Sequence, residues 1–242
     1  MINVPSRVEY RALEGFVLAV SPFNFTAIGG NLPGVPALVG NVVLWKPSPA
    51  ATYSNYVVYQ LLEEAGIPPG VIQFVPGPPA EVVAQAISHP LFAGLHFTGS
   101  TAIFKKLWKD IAQNLDVYKS YPRIVGETGV LWLAGVHELS VLLIIFPPGG
   151  KNFHVVHSSA DVENAVFQTV RSAFEYQGVL WNTPIPASSH DHLGQKCSAL
   201  SRLYVSSSVW NAGGFKDKLL QQVAGIKVGS PMKLDNFMGP VM

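Results

Sequence analysis

The sequence has a single cysteine and few charged residues. Cys197 is the only thiol in 242 residues, so no disulfide forms within the chain and no second thiol is available for a zinc or iron–sulfur site. Charged residues make up 13% of the chain and the formal net charge is +1, with lysine and arginine scattered rather than clustered. This composition argues against binding to nucleic acid or to a membrane surface through charge. We therefore predict no metal site and no nucleic-acid partner.

Long apolar runs and the common phosphate-binding loops are also missing. The segment 130–149 is rich in Leu, Ile, Val and Trp, but its unbroken apolar part, 141–146, is too short to span a bilayer. Neither G-x-G-x-x-G nor G-x-x-x-x-G-K-[ST] occurs. The first residues lack the charged region and apolar run of a signal peptide, and they do not resemble an organelle transit peptide. We expect no membrane partner and no targeting signal in this chain.

The first half of the sequence alternates between apolar runs and helical patterns. Continuous apolar runs predict buried strands at 15–20, 40–46, 71–75, 94–98 and 123–125. Helical patterns lie at 53–64, 81–88 and 101–115, and the small-residue stretch 27–38 favours a further helix with Pro33 and Pro36 near its start. This alternation predicts βαβ units and a parallel sheet covered on both faces. The predicted fold class is therefore α/β.

Polar residues follow the predicted strands, where parallel sheets bind their ligands. Ser21 to Asn24 comes after the first strand, Lys46 after the second, Gly99–Ser100 after the fourth and Glu127 after the fifth. Each has an ordinary explanation when it is considered singly, as a turn residue, a solvated charge or a surface acid. Gly99–Ser100 fits a plain strand–helix turn as well as a backbone that faces an anion.

Cys197 lies in the stretch 194–199, directly after Lys196. A nearby cation favours the thiolate, which is the reactive form of the side chain. A single cysteine in a chain is nevertheless more often a small buried hydrophobic residue. The motifs that accompany Cys197 decide between these two interpretations.

Five short motifs occur in one order: Ser21–Phe25 (SPFNF), Leu44–Ser48 (LWKPS), Phe97–Ser100 (FTGS), Glu127–Gly129 (ETG) and Gln195–Cys197 (QKC). In this order they resemble aldehyde dehydrogenases, most closely the branch that oxidises Δ1-pyrroline-5-carboxylate, or glutamate γ-semialdehyde. The resemblance runs from about Val8 to Val241 apart from two segments, and Arg171–Tyr176 supports it. It implies a Rossmann-like parallel-sheet cofactor domain over 1–126. It also implies the start of an α/β catalytic domain over 127–242, so that the aldehyde dehydrogenase fold is incomplete.

The resemblance also implies roles for individual residues. Cys197 would be the nucleophile, Asn24 would hold the developing oxyanion, and Glu127 would activate the water that hydrolyses a thioester. Ser198 would contact a small aldehyde substrate. NAD would be the cofactor, and its contacts would be Ser21, Lys46, Gly99, Ser100, Thr101, Ala102 and Ile103. By resemblance, the protein would be a homo-oligomer of the mitochondrial matrix that acts in proline catabolism.

Two segments interrupt the family's pattern. Val130–Gly149 splits the family's Glu-Thr-Gly-Gly-Lys-Asn, and Val179–Gly194 splits its Gly-Gln-Lys-Cys. Glu127 and Cys197 are 70 positions apart, and 34 remain once the 20 and 16 inserted residues are removed, which is about the family's separation. Both segments begin Val-Leu-Trp after a glycine and end in glycine, which is compatible with splice junctions inside glycine codons. We hypothesise that they are translated introns; the alternative is two genuine loops near the active site.

The chain is also far shorter than members of the family. Because the inserted segments closely follow Glu127 and precede Cys197, we expect the chain as written to be weakly active or inactive. Two alternatives stay open at this point. One is an aldehyde dehydrogenase for a different substrate, and the other is a non-catalytic fragment that binds only a nucleotide or a partner subunit.

Overall fold

A computed structural model describes residues 11–129, 152–175, 196–211 and 213–239. The chain forms two compact units, residues 1–127 and 128–242. Both inserted segments, 130–149 and 179–194, lie outside the described residues. The roles that the sequence predicts for 1–126 and 127–242 remain predictions.

The first unit is built on a five-stranded sheet whose strands alternate with helices. The strands are β1 (Phe16–Val20), β2 (Val42–Lys46), β3 (Ile72–Phe74), β4 (Phe92–Ser100) and β5 (Arg123–Gly129), in the order β3-β2-β1-β4-β5. The helices are α1 (Thr26–Leu38), α2 (Thr52–Glu64), α3 (Pro79–Ile87) and α4 (Thr101–Gln113), with short 3₁₀ turns at Pro49–Ala51 and Leu115–Val117. The central strand β1 pairs in parallel with β2 and β4, and β2 pairs in parallel with β3. The predicted α/β fold with a parallel sheet is confirmed.

Apolar side chains cover both faces of the central strand. Leu18 is fully buried and belongs to a core cluster with Phe92 and Ile111. Its neighbour Ala19 is also fully buried but belongs to a second cluster, with Trp45. Adjacent residues of a strand point to opposite faces, so a strand covered on both faces needs a continuous apolar run.

Helix α1 contains two prolines in its interior, so the prediction that they lie near its start is wrong. Proline has no N–H, and Pro36 therefore leaves the carbonyl of Leu32 without its helical donor. Nδ1 of His96 on β4 lies 2.9 Å from that carbonyl oxygen. Asn41 Nδ2 donates to the carbonyl of Pro36 over 2.9 Å. His96 thus replaces the donor that Pro36 lacks, and Asn41 satisfies a carbonyl of the last helical turn.

Gly29 of α1 lies against Asn55 of α2, and a Cβ at Gly29 would sit 2.3 Å from Asn55 Oδ1. Asn55 is completely buried. We expect Gly29→Ala to lower the free energy of unfolding by about 1–3 kcal/mol, because the added methyl group overpacks the helix contact. Urea denaturation measures the change.

Gly34→Ala is the matched control, because Gly34 lies in the same helix and a Cβ there would meet nothing within 4 Å. It should leave stability unchanged or raise it by up to about 1 kcal/mol, since alanine favours helix. Equal destabilisation by the two substitutions would contradict the packing argument.

The described part of the second unit contains two parallel strands, β6 (Asn152–Val156) and β7 (Leu200–Val205). Three helices accompany them: α5 (Val162–Phe174), α6 (Ser207–Asn211) and α7 (Phe215–Ala224). Val156, Val166, Val209 and Phe215 form its core. Asp161 caps α5, since its Oδ1 accepts the N–H of Asn164 over 2.8 Å. This unit places the stretch that contains Cys197 directly before β7.

Candidate active site

Strands β1 and β2 bring Ser21 and Lys46 together at the carboxyl edge of the sheet. The N–H of Ser21 donates to the carbonyl of Lys46 over 3.2 Å. Nε1 of Trp45 donates to Ser21 Oγ over 2.9 Å. Lys46 is the last residue of β2, which is where the predicted strand 40–46 ends, and so it lies at the end of the strand and not after it. The register of two parallel strands therefore fixes both side chains.

Lys46 is only 2% exposed, so the alternative of a solvated surface charge is wrong. Its Nζ donates to the carbonyl of Pro47. Desolvation lowers the pKa of Lys46, because burial disfavours the charged amine. A ligand that supplies further oxygen acceptors would offset this cost of burial.

Strand β4 runs directly into helix α4. Gly99 and Ser100 are the last two residues of the strand rather than a turn after it, and α4 begins at Thr101. Ser100 Oγ accepts the N–H of Ile103 over 3.3 Å and so caps the helix. The first turn of α4 contains no acidic residue, and Ala102 and Ile103 are exposed. The positive end of the helix is thus open to an anion.

Asn24 and Glu127 differ in their exposure and in the element that carries them. Asn24 lies in the partly exposed segment between β1 and α1, at the same carboxyl edge as Lys46. Glu127 is exposed and lies within β5, so the prediction that it follows the fifth strand is wrong. The strand continues beyond its apolar residues to Gly129, next to β4, which extends to Ser100.

In the second unit, Cys197 lies in a turn held from two sides. Asn152 Nδ2, at the start of β6, donates to the carbonyl of Cys197 over 2.9 Å and lies 3.4 Å from the carbonyl oxygen of Ala199. Lys196 Nζ lies 2.9 Å from Glu175 Oε2, at the end of α5. Cys197 is half-buried and the neighbouring Ser198 is exposed. Tethers to β6 and α5 therefore fix the backbone around the thiol.

The predicted site residues are divided between the two units. The first unit gathers the predicted cofactor residues and Asn24 at one sheet edge: Ser21, Asn24, Lys46 and Gly99–Ile103. Glu127 is the last residue of this unit, whereas Cys197 and Ser198 belong to the second. The grouping of Cys197, Asn24 and Glu127 into one catalytic site stays a prediction.

Sequence reasoning missed three residues that shape these regions. Trp45 is part of an apolar run and looks like core, yet its indole N–H fixes Ser21. Asn152 completes the interrupted motif that begins at Glu127, and Glu175 lies in the family-like stretch 171–176. These two motifs could have drawn attention to Asn152 and Glu175, but a motif does not show which distant residue each side chain contacts.

Metal-binding clusters and membrane-spanning helices are absent from the described ranges. Within 11–129, 152–175, 196–211 and 213–239, no three His, Cys, Asp or Glu side chains are grouped to hold a metal ion. In the same ranges no helix is long and apolar enough to cross a membrane.

The model for the aldehyde dehydrogenase family matches residues 3–131 and 184–242, which is more than half of the chain. The chain belongs to the aldehyde dehydrogenase family. Its fold is similar to that of the Δ-pyrroline-5-carboxylate dehydrogenase from Mycobacterium tuberculosis bound with NAD, with a TM-score of 0.73 and 43% identity over 96% of this chain and 36% of that one. A salicylaldehyde dehydrogenase from Pseudomonas putida G7 is also similar, with a TM-score of 0.69 and 25% identity over 95% of this chain and 39% of that one.

Curated relatives of the chain include several proteins that are named Δ1-pyrroline-5-carboxylate dehydrogenase. The Δ1-pyrroline-5-carboxylate dehydrogenase of Agaricus bisporus is 61% identical over 98% of this chain and 36% of its own length. A probable Δ1-pyrroline-5-carboxylate dehydrogenase of Schizosaccharomyces pombe is 51% identical over 99% of this chain and 38% of its own. The mitochondrial Δ1-pyrroline-5-carboxylate dehydrogenase of Homo sapiens is 50% identical over 95% of this chain and 35% of its own length. The family predicted from the motifs is confirmed, and the chain spans little more than a third of these relatives.

Proposed function

We propose that this chain is part of an NAD-dependent aldehyde dehydrogenase that oxidises L-glutamate γ-semialdehyde to L-glutamate in proline catabolism. The observation that carries the proposal is the 61% identity to a Δ1-pyrroline-5-carboxylate dehydrogenase over 98% of the chain. NAD is supported by the solved relative that is described as bound with NAD. A mitochondrial location is supported by the relatives from Emericella nidulans and Rattus norvegicus, whose names include the word mitochondrial. Homo-oligomerisation remains a prediction from the family.

The carboxyl edge of the first unit fits a dinucleotide. Lys46 contributes a buried amine and Ser21 a hydroxyl, and both suit ribose hydroxyl groups or phosphate oxygens. Helix α4 contributes the positive end of its dipole, with no acid in the first turn to repel an anion. Residues Gly99–Ile103 would hold the pyrophosphate side. NAD, when bound, supplies the acceptor for the hydride that leaves the substrate.

The thiol chemistry would begin with the thiolate of Cys197, which forms a bond to the aldehyde carbon. The carbonyl oxygen becomes an oxyanion, which the amide of Asn24 and the backbone N–H of Cys197 would stabilise as uncharged donors. Loss of hydride from the same carbon leaves a thioester on Cys197. Lys196 and Asn152 would keep the backbone of this turn in place during the reaction.

Glu127 would act as the general base in the second half of the reaction, which is the hydrolysis of the thioester. Its carboxylate accepts a proton from water, the resulting hydroxide adds to the thioester carbon, and the carbon–sulfur bond breaks to release the acid and the thiolate. The exposure of Glu127 on β5 leaves its carboxylate accessible to water. Ser198, exposed next to the nucleophile, would contact the substrate.

A chimaera tests the proposal. Residues 1–242 without 130–149 and 179–194 replace the matching third of the Agaricus bisporus relative, and we call this protein the completed enzyme. With NAD and a panel of aldehydes, we expect stoichiometric NADH formation with the highest kcat/KM for glutamate γ-semialdehyde. A higher kcat/KM for another aldehyde would overturn the substrate assignment. NAD binding without NADH formation on any aldehyde would favour a non-catalytic nucleotide-binding role.

The buried amine gives a separate prediction for cofactor binding. Lys46→Met keeps most of the side-chain volume but removes a charged hydrogen bond worth about 1.5–3 kcal/mol. We expect the Kd for NAD to rise roughly 10- to 100-fold, measured by calorimetric titration of the 242-residue chain. Lys109→Met, on the exposed face of α4, is the matched control and should leave the Kd unchanged. An unchanged Kd in Lys46→Met would remove Lys46 from the cofactor site.

A further inference from the structure

Glu175 joins the end of α5 to the turn that carries Cys197. Its Oε2 lies 2.9 Å from Lys196 Nζ, and its Oε1 lies 3.2 Å from Nε of Arg171, one helical turn earlier. The side chains of Glu175 and Lys196 are 25% and 18% exposed, so this ion pair is more sheltered than an ordinary surface pair. The contact bridges 21 positions in the sequence. The residue before the nucleophile is thereby fixed to helix α5.

The bridge also pairs the cation that precedes Cys197 in the chain with a carboxylate. Partial burial of Glu175 opposes ionisation, but hydrogen bonds from Lys196 and Arg171 and the charges of both cations lower the pKa of its carboxyl group overall. The carboxylate is therefore ionised at neutral pH and offsets the charge of Lys196. A cation next to a thiol favours the thiolate, and a carboxylate paired with that cation weakens the effect.

We propose that Glu175 is a positioning residue for Cys197 that acts through Lys196: the ion pair fixes the turn and partly neutralises the cation beside the thiol. The inference rests on the proposed function, in which Cys197 is the nucleophile. Charged or titratable groups also occur on the strands that flank the turn. His154 on β6 contacts Thr169 of α5 through Nδ1, and Arg202 on β7 contacts the hydroxyl of Tyr204. Neither contact involves Glu175.

Alkylation of the chain by iodoacetamide tests this role directly. Cys197 is the only thiol, so the alkylation rate as a function of pH reports its thiolate without NAD, aldehyde or turnover. In Glu175→Gln we expect the midpoint of the rate profile to move to lower pH by about half a unit, because the negative charge of Glu175 next to Lys196 is removed. In Lys196→Gln we expect the midpoint to move to higher pH. Glu175→Asp keeps the charge and should stay near the unmodified chain.

The double variant decides whether Glu175 acts through Lys196. In a chain with both Glu175→Gln and Lys196→Gln, the midpoint should match that of Lys196→Gln, because the cation that Glu175 modulates is gone. Glu163→Gln is the matched control: Glu163 is also on α5 and pairs with Lys218 of α7, and its loss should not move the midpoint. A full Glu175→Gln shift in the double variant, or no shift in the single one, would overturn the proposal.

Circular dichroism melting shows whether each variant is folded. If Glu175→Gln is unfolded, the comparison of Glu175→Asp with Lys196→Gln decides instead, and a midpoint that is the same in both variants would contradict the proposal. A failure of the completed enzyme to form NADH leaves these alkylation profiles unaffected, so the two proposals fail separately.

Discussion

Replacement of Cys197 by alanine in the completed enzyme is expected to abolish NADH formation, with kcat lowered by roughly 10⁴-fold or more. Alanine cannot bond to the aldehyde carbon, so no acyl group forms on the enzyme and no hydride leaves the substrate. Within the part of the completed enzyme that comes from this chain, no other side chain replaces the sulfur, because residues 1–242 contain no second thiol. Stopped-flow absorbance of NADH measures both the first turnover and the steady state.

Binding of NAD separates this chemical effect from misfolding. The predicted cofactor residues lie in the first unit and Cys197 in the second, so Cys197→Ala should leave the Kd for NAD unchanged. Cys197→Ser keeps the size of the side chain but not the acidity of the thiol, and it should also lose activity. NADH formation by Cys197→Ala above about a hundredth of the rate of the completed enzyme would contradict the role of Cys197 as nucleophile.

Restoring both inserted segments to the completed enzyme is expected to lower kcat/KM by at least about 100-fold, because a misplacement of about 1 Å has that effect on a catalytic group. The segment 130–149 begins three residues after Glu127, and 179–194 ends three residues before Cys197. The family match stops at residue 131 and resumes at 184. Steady-state kinetics on glutamate γ-semialdehyde measures the change.

Each segment, when it is restored alone, should slow a different step of the reaction. With 130–149 only, we expect a burst of NADH followed by slow turnover, because Glu127 serves the hydrolysis of the thioester. With 179–194 only, the burst itself should be slow, because Cys197 serves the first step. Activity within about threefold of the completed enzyme would show that the segments are tolerated loops, since surface insertions are often accommodated. Sequenced transcripts that routinely retain both segments would contradict the intron hypothesis.

Local patterns predicted the first unit well because its elements follow rules that act over a few residues. A strand covered on both faces needs an apolar run such as 15–20, and β1 is Phe16–Val20. Pro36 broke the local rule because the group that replaces its missing donor, His96, lies on strand β4. Strand β5 likewise runs past the apolar residues that predicted it, to Gly129, beside its neighbour β4.

For this protein, the sequence by itself determined the family and the α/β class, because ordered motifs and hydrophobic periodicity are properties of neighbouring residues. Only the tertiary structure decided that Lys46 is buried, that Trp45 holds Ser21, and that Glu175 and Asn152 hold the turn of Cys197. Burial and hydrogen bonding join residues that are far apart in the chain, such as His96 and Leu32, which are separated by 64 positions. Such contacts depend on strand register and helix packing, and no single stretch of sequence contains them.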